Sequence, residues 1–152
     1  MKPVTSYPTD KKIGRSILKV IICMKRKPGM TRTEFLRYWK EDHAKVVAEC
    51  AGPMGIRRNV HNHTITTPDD ERIRRGRGAE MDDYDGVAES WFDSYDARVA
   101  AISSDEGRRA ARRLAEDEAR FIDYSRSRIF FVDEHVVIDN GLPVAQGQVR
   151  DG

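Results

Sequence analysis

The sequence predicts an α+β domain in which one antiparallel sheet carries two helices on a single face. Three observations lead there. Apolar, β-branched runs at residues 17–24 and 128–138 read as strands, and they bracket two stretches of helical periodicity. The order of elements is strand, helix, strand, strand, helix, strand. The third strand has a face of small residues, Gly86, Ala88 and Ser90, over which helices can pass closely. That order is the split βαβ of ferredoxin-like folds, and right-handed crossovers put both helices on the same side.

The first strand, Ile-Leu-Lys-Val-Ile-Ile-Cys-Met, is almost continuously apolar, as a central strand covered on both faces must be. Lys27-Pro28-Gly29 turns the chain. Thr31-Arg32-Thr33-Glu34 is a capping box, with the threonine hydroxyl and the glutamate carboxylate each serving the other residue's amide. The helix it starts carries Phe35, Leu36, Trp39, His43, Val46, Val47 and Cys50 in one stripe, and Gly52-Pro53 is expected to end it. Residues 56–67 form a polar strand suited to a sheet edge, with Asn59, His61 and His63 on one face and Val60 and Asn62 on the other.

Residues 68–83 are rich in arginine and glycine and read as a charged insertion loop. Residues 84–92 form the third strand, whose second face holds Asp85, Val87, Glu89 and Trp91. Residues 94–122 are helical with a break at Ser103-Ser104, where Asp105 restarts the helix as a cap. Its inner stripe is Ala111, Leu114, Ala115, Glu118, Phe121 and Ile122. Arginines 108, 109, 112 and 113, ahead of Glu116 and Asp117, read as a solvated, salt-bridged face. The last strand spans 128–138, and Asn140-Gly141 closes it. The domain is therefore expected over 16–138, between a flexible tail at 1–15 and a polar tail at 139–152.

With 152 residues there is room for one core. A net charge of +2 is too small to imply nucleic acid, and no run approaches the roughly 18 apolar residues of a membrane span. Cys23 and Cys50 lack metal or redox spacing and read as reduced residues of a cytoplasmic protein. No glycine-rich phosphate cradle or nucleophile elbow is present, so flavin and nicotinamide cofactors have no sequence support.

The first and last strands are apolar on both faces, yet both helices cover only one. The uncovered face calls for a second copy of the chain, because large bare apolar patches are rare on soluble monomers. A homodimer would enclose cavities between its sheets, lined by Trp91 and Glu89.

Several segments together resemble the EthD family: Lys19-Val20-Ile21-Ile22, Phe35-x-x-Tyr38-Trp39-x-x-x-His43-Ala44, Asn62-His63, Asp85-Gly86-Val87-Ala88-Glu89-x-Trp91-Phe92-Asp93-Ser94 and Asp117 to Asp123. The resemblance implies a dimeric α+β barrel. It also implies relatives that include an accessory protein of ether degradation, fungal polyketide dehydratase-type proteins and, further off, lactone isomerases and cofactor-free monooxygenases. The chain departs from the family pattern at Asn59 and His61, where an aromatic and a glutamine are common, and in the longer 68–83 loop.

His43 is the leading candidate acid or base, since histidine titrates nearest neutrality. The alternative is a structural histidine that bonds a backbone carbonyl. His63, beside Asn62, and Glu89 are candidate assistants, although Glu89 is read first as an ion-pair partner of Arg57 or Arg128. Tyr38, Trp39, His61, Asn62, Tyr84 and Trp91 are candidate substrate-binding residues, and core packing explains large aromatics equally well. His61 and His63 share a face but lack a third ligand, so no metal site is expected. Two functions stay open. One is a cofactor-independent enzyme moving protons on an apolar aromatic, lactone or polyketide-like carbonyl compound, with oxygen-dependent oxidation of a phenol as a variant. The other is a non-catalytic accessory protein of an oxygenase system, with haem binding as a third reading.

Overall fold

The structure, a computed structural model, describes residues 16–80 and 83–145. The expected tail at 1–15 and the last residues of the expected C-terminal tail lie outside that range. Strands β1 (Leu18–Met24), β2 (Ile56–His63), β3 (Gly86–Phe92) and β4 (Arg128–Val132) form one antiparallel sheet in the order β2-β3-β1-β4. Helices α1 (Arg32–Tyr38) and α2 (Ala44–Met54) lie between β1 and β2, and α4 (Tyr95–Ser103) and α5 (Asp105–Glu118) between β3 and β4. This is the ferredoxin-like βαββαβ arrangement that the element order predicts.

The capping box at Thr31 forms as expected, with the Thr31 amide donating to Glu34 Oε2 at 2.7 Å and the Glu34 amide donating to Thr31 Oγ1 at 3.2 Å. A feature the periodicity does not reveal follows at once. Between α1 and α2 the chain makes a π-turn, Trp39–His43. Phe35, Trp39, His43 and Val47 are all buried at four-residue steps. On a regular α-helix each such step drifts by about 40°, so three would swing the stripe through about 120°. The wider π winding absorbs that drift and keeps all four side chains against the sheet.

Four further expectations are corrected. Gly52-Pro53 does not end the helix; Pro53 is accommodated in its last turn and Gly55, at φ 73°, provides the left-handed cap. The α4–α5 break is capped by Ser104, whose hydroxyl accepts from the Gly107 amide, rather than by Asp105. The 68–83 segment contains a helix, α3 (Asp70–Arg77), with Asp70 and Glu71 in its first turn and three arginines in its last, each sign complementing the helix dipole. The last strand stops at Val132. Ile138 belongs to a separate two-stranded hairpin, β5 (Ile138–Asp139) and β6 (Leu142–Pro143), turned by Asn140 and Gly141 at positive φ.

A bulge between Ile56 and Arg58 puts Ile56, Asn59, His61 and His63 on the helix-facing side of β2. They share it with Gly86, Ala88, Ser90 and Phe92 of β3 and with Leu18, Val20, Ile22 and Met24 of β1. The core there is built on Met24, Phe35, Trp39, Ala88, Phe121 and Ile122. Glycine at 86 is a packing requirement, because a Cβ would sit 2.3 Å from the Trp39 ring.

Candidate active site

His43 leaves the π-turn pointing into this core, and its Nδ1 lies 2.6 Å from Oδ2 of Asp117, near the end of α5. The other oxygen of Asp117 accepts a hydrogen bond from the Tyr38 hydroxyl at 2.6 Å. Asp117 is buried, at 8% exposure, although its place after a run of arginines suggested a solvated surface. The arginines pair elsewhere, Arg113 with Glu49 and Arg108 with Asp105. A carboxylate on Nδ1 fixes the imidazole tautomer with the proton on that nitrogen, leaving Nε2 as the basic one. Burial lowers the His43 pKa, and the Asp117 carboxylate opposes that shift without overcoming it.

Between the sheet and the helices lies a cavity of about 210 Å³. His43 and His61 line one side. Val20, Ile22 and Ala88 line it from the sheet and Leu114, Ala115 and Glu118 from α5, with Tyr124 beside them. An open groove of about 400 Å³ beside α2 shares Val47, Ile56, Asn59 and His61 with the cavity, so the His61 side is its route to solvent. The His61 ring packs on His43, with centroids 5.8 Å apart, and on Trp39 at 4.9 Å. Burial first, then the neighbouring histidines, lower its pKa to about 4. His61 is therefore neutral at neutral pH.

The EthD domain pattern matches residues 27–125, about two thirds of the chain. The chain belongs to the EthD family. Among curated proteins, none matches this EthD chain. A solved EthD family protein of Bacillus halodurans is similar in structure, with a TM-score of 0.52 and 16% identity over 78% of this chain and 99% of that one. A dimeric protein of unknown function and ferredoxin-like fold from Bacteroides fragilis gives a TM-score of 0.48 and 13% identity over 80% of this chain and 99% of that one. SnoaB, a cofactor-independent oxygenase from Streptomyces nogalater, gives 0.42 and 15% over 80% and 95%. At such identities the likeness to the Bacillus protein is one of fold.

Of the residues singled out from the sequence, the EthD structure gathers His43, His61, Tyr38 and Trp39 around one place. Trp39 is fully buried between His61 and His63, which stacks on it at 4.5 Å. Burial, and Lys40 nearby, lower the His63 pKa. Tyr38 reaches the site through Asp117.

Glu89, Asn62 and Trp91 are on the opposite face of the sheet from His43. There Glu89 pairs with Lys19 at 2.5 Å, not with Arg57 or Arg128, and accepts from Asn62 at 3.0 Å. The Lys19 ammonium also stands over the Trp91 ring and binds Glu134. Hydrogen bonds from Lys19 and Asn62 keep the Glu89 carboxyl below its ordinary value. Tyr84 sits apart from both groups, under the Lys25 ammonium. The cavity beside His43 is thus on the helix side and within one chain, whereas Trp91 and Glu89 had suggested a space between two sheets. The small face of β3 decides this, since it leaves room under the helices. Asp117, Glu118, Tyr124 and Asn59 are the site residues that sequence reasoning passed over. Glu118 gave a signal as part of the inner stripe of α5, Asn59 in sharing a strand face with His61, and Asp117 in opening a segment that resembles the family.

Proposed function

We propose that this EthD protein is a cofactor-independent enzyme that moves a proton on a small apolar carbonyl compound, aromatic, lactone or polyketide-like, held beside His43. The observation that carries this reading is the 2.6 Å contact between His43 Nδ1 and a buried Asp117 at the wall of an apolar cavity. A histidine so oriented, kept neutral by burial, is a base ready at neutral pH. Tyr38 and Asp117 are positioning residues for that base. Apolar walls exclude water, which strengthens the interactions of the few polar groups that face the substrate.

Cavity size narrows the class. A cavity of roughly 150 Å³ in another protein holds benzene, so about 210 Å³ admits one substituted ring or a compact bicycle. Longer substrates would extend into the groove past His61. His63, at the outer side of Trp39, is proposed to contact such a substrate and not to take part in the proton transfer. The reading also has the protein working as a homodimer, with the partner covering the Glu89 face.

The test is hydrogen exchange. The protein is incubated in deuterated buffer with a panel of ketones and lactones that includes 2-tetralone, and NMR follows loss of the protons beside the carbonyl. The wild type is expected to accelerate exchange, and His43→Gln to lose that acceleration by about 10²–10⁴-fold while still binding the compounds. Binding without accelerated exchange by the wild type would favour a non-catalytic accessory role.

A further inference from the structure

The cavity that His43 lines also holds a second pair of groups that the proton-abstraction step does not use. Glu118 and Tyr124 both line the cavity, and the Tyr124 hydroxyl donates to Glu118 Oε2 at 2.5 Å. We infer that Glu118, held by Tyr124, is the general acid that works against His43: it gives its proton to the substrate carbonyl oxygen while His43 takes one from the adjacent carbon. This rests on the proposed proton-transfer reading and adds the acid that reading lacks.

The geometry separates the two roles. His43 reaches the cavity from the π-turn and Glu118 from the last turn of α5, so base and acid come to one space from different elements. Tyr124, on the short 3₁₀ turn Tyr124–Arg126, occupies one carboxyl oxygen and leaves Oε1 to carry the proton. Protonation is supported by the surroundings: burial, with the Asp117 carboxylate adding to it, pushes the Glu118 pKa up although the Tyr124 hydrogen bond opposes this. The titratable and charged groups facing the same space are Tyr124 from the turn, His43 from the π-turn, His61 from β2 and Arg98 from α4. Asp117 is next to Glu118 on its own helix. Burial and the Glu118 carboxyl push Tyr124 far up, so it remains a neutral donor.

The step balances without any further reagent. His43 Nε2 takes the proton from carbon, the C–H electron pair becomes the double bond of an enol, and the carbonyl π pair takes the Glu118 proton. The reaction is completed when the Glu118 carboxylate recovers the proton from the enol oxygen. The imidazolium meanwhile returns its own proton to the original carbon or to a conjugated one. The second outcome is an isomerisation; where the substrate carries a hydroxyl at the β position, the enol electrons expel it instead, and it takes the imidazolium proton and leaves as water. The substrate class that follows is an enolisable ketone or lactone, conjugated or able to become so.

Glu118→Gln and Tyr124→Phe test this with 2-tetralone exchange as the readout. Glu118→Gln is expected to lower kcat by about 10²–10³-fold with KM unchanged, and to abolish the alkaline limb of the pH–rate profile. Tyr124→Phe removes a hydrogen bond that lowers the Glu118 pKa, so its alkaline limb is expected to move to higher pH. An infrared carboxylic-acid band at neutral pH, lost in Glu118→Gln, would show the proton directly. A Glu118→Gln protein with the wild-type rate and an unchanged alkaline limb overturns the inference while leaving His43 as base. No exchange by the wild type overturns the underlying reading, and this inference falls with it.

Discussion

At the scale of single residues, the molecule invests in a set of buried ionisable side chains whose charge states depend on one another. His61 shows the consequence for stability. In the unfolded chain it takes a proton near 6.5, whereas in the folded chain burial holds its pKa to about 4. Below 6.5 the unfolded state therefore binds the extra proton and the folded state does not. Stability that is fully present above 6.5 should drain away as pH falls towards 4 and level off below it, by on the order of 2–3 kcal/mol. His43 and His63, also lowered by burial, act in the same direction. Thermal unfolding followed from pH 7 to pH 4 should show this slope, and His61→Gln should flatten it. An equally steep decline in that variant would place the effect elsewhere.

Asp117 belongs at the same scale. Its carboxylate opposes the lowering of the His43 pKa, and it holds the ring tautomer. Asp117→Asn should then cost on the order of 10²–10⁴ in exchange rate, by analogy with the loss of tautomer control in a hydrolytic triad. It should also shift the acid limb of the pH–rate profile to lower pH, which a purely structural role for Asp117 would not do.

At the scale of elements, one close approach fixes how α4 meets α5. At Gly107 an added Cβ would meet the Ala101 carbonyl oxygen at 1.8 Å, a backbone atom that cannot move unless α4 moves. Gly107→Ala should therefore lose roughly 2–3 kcal/mol, or about 5–10 °C in Tm for a chain of this size. Gly76→Ala in α3 meets nothing within 4 Å and should be neutral or gain up to about 1 kcal/mol. Calorimetry on the two variants distinguishes packing from helix propensity.

The elements also show what the sequence can and cannot disclose. Strand runs, the Thr31 capping box and the small face of β3 are local patterns, and each could be read directly from the chain. The π-turn could not, because a four-residue burial step looks the same on paper whether the winding is α or π. Asp117 was hidden for a related reason: beside four arginines its carboxylate reads as surface, and only the placement of α5 against the Tyr38–His43 segment buries it. Glu89 erred in the opposite sense. Its strand position was right, but which face holds the cavity depends on how closely the helices settle, and that is a property of the whole sheet.

At the scale of the whole molecule, the second face of the sheet presents Ile21 and Cys23 of β1, Val60 of β2, Val87 of β3 and Phe130 and Val132 of β4, with the Lys19–Glu89–Glu134 cluster among them. Phe130 is 45% exposed. An apolar sheet face that no helix of the same chain covers is costly in water at about 25 cal/mol per Å². A second sheet brought against it, related by a twofold axis, would remove that cost. Sedimentation at micromolar concentration should therefore report a dimer. Phe130→Asp, which puts a charge on that face along the edge strand β4, should yield monomers with the fold intact by circular dichroism. Because the His43 cavity is lined by residues of one chain, those monomers should keep their hydrogen-exchange activity to within about an order of magnitude. A wild-type chain that sediments as a stable monomer would mean that the face tolerates water, and that its ion cluster is sufficient cover.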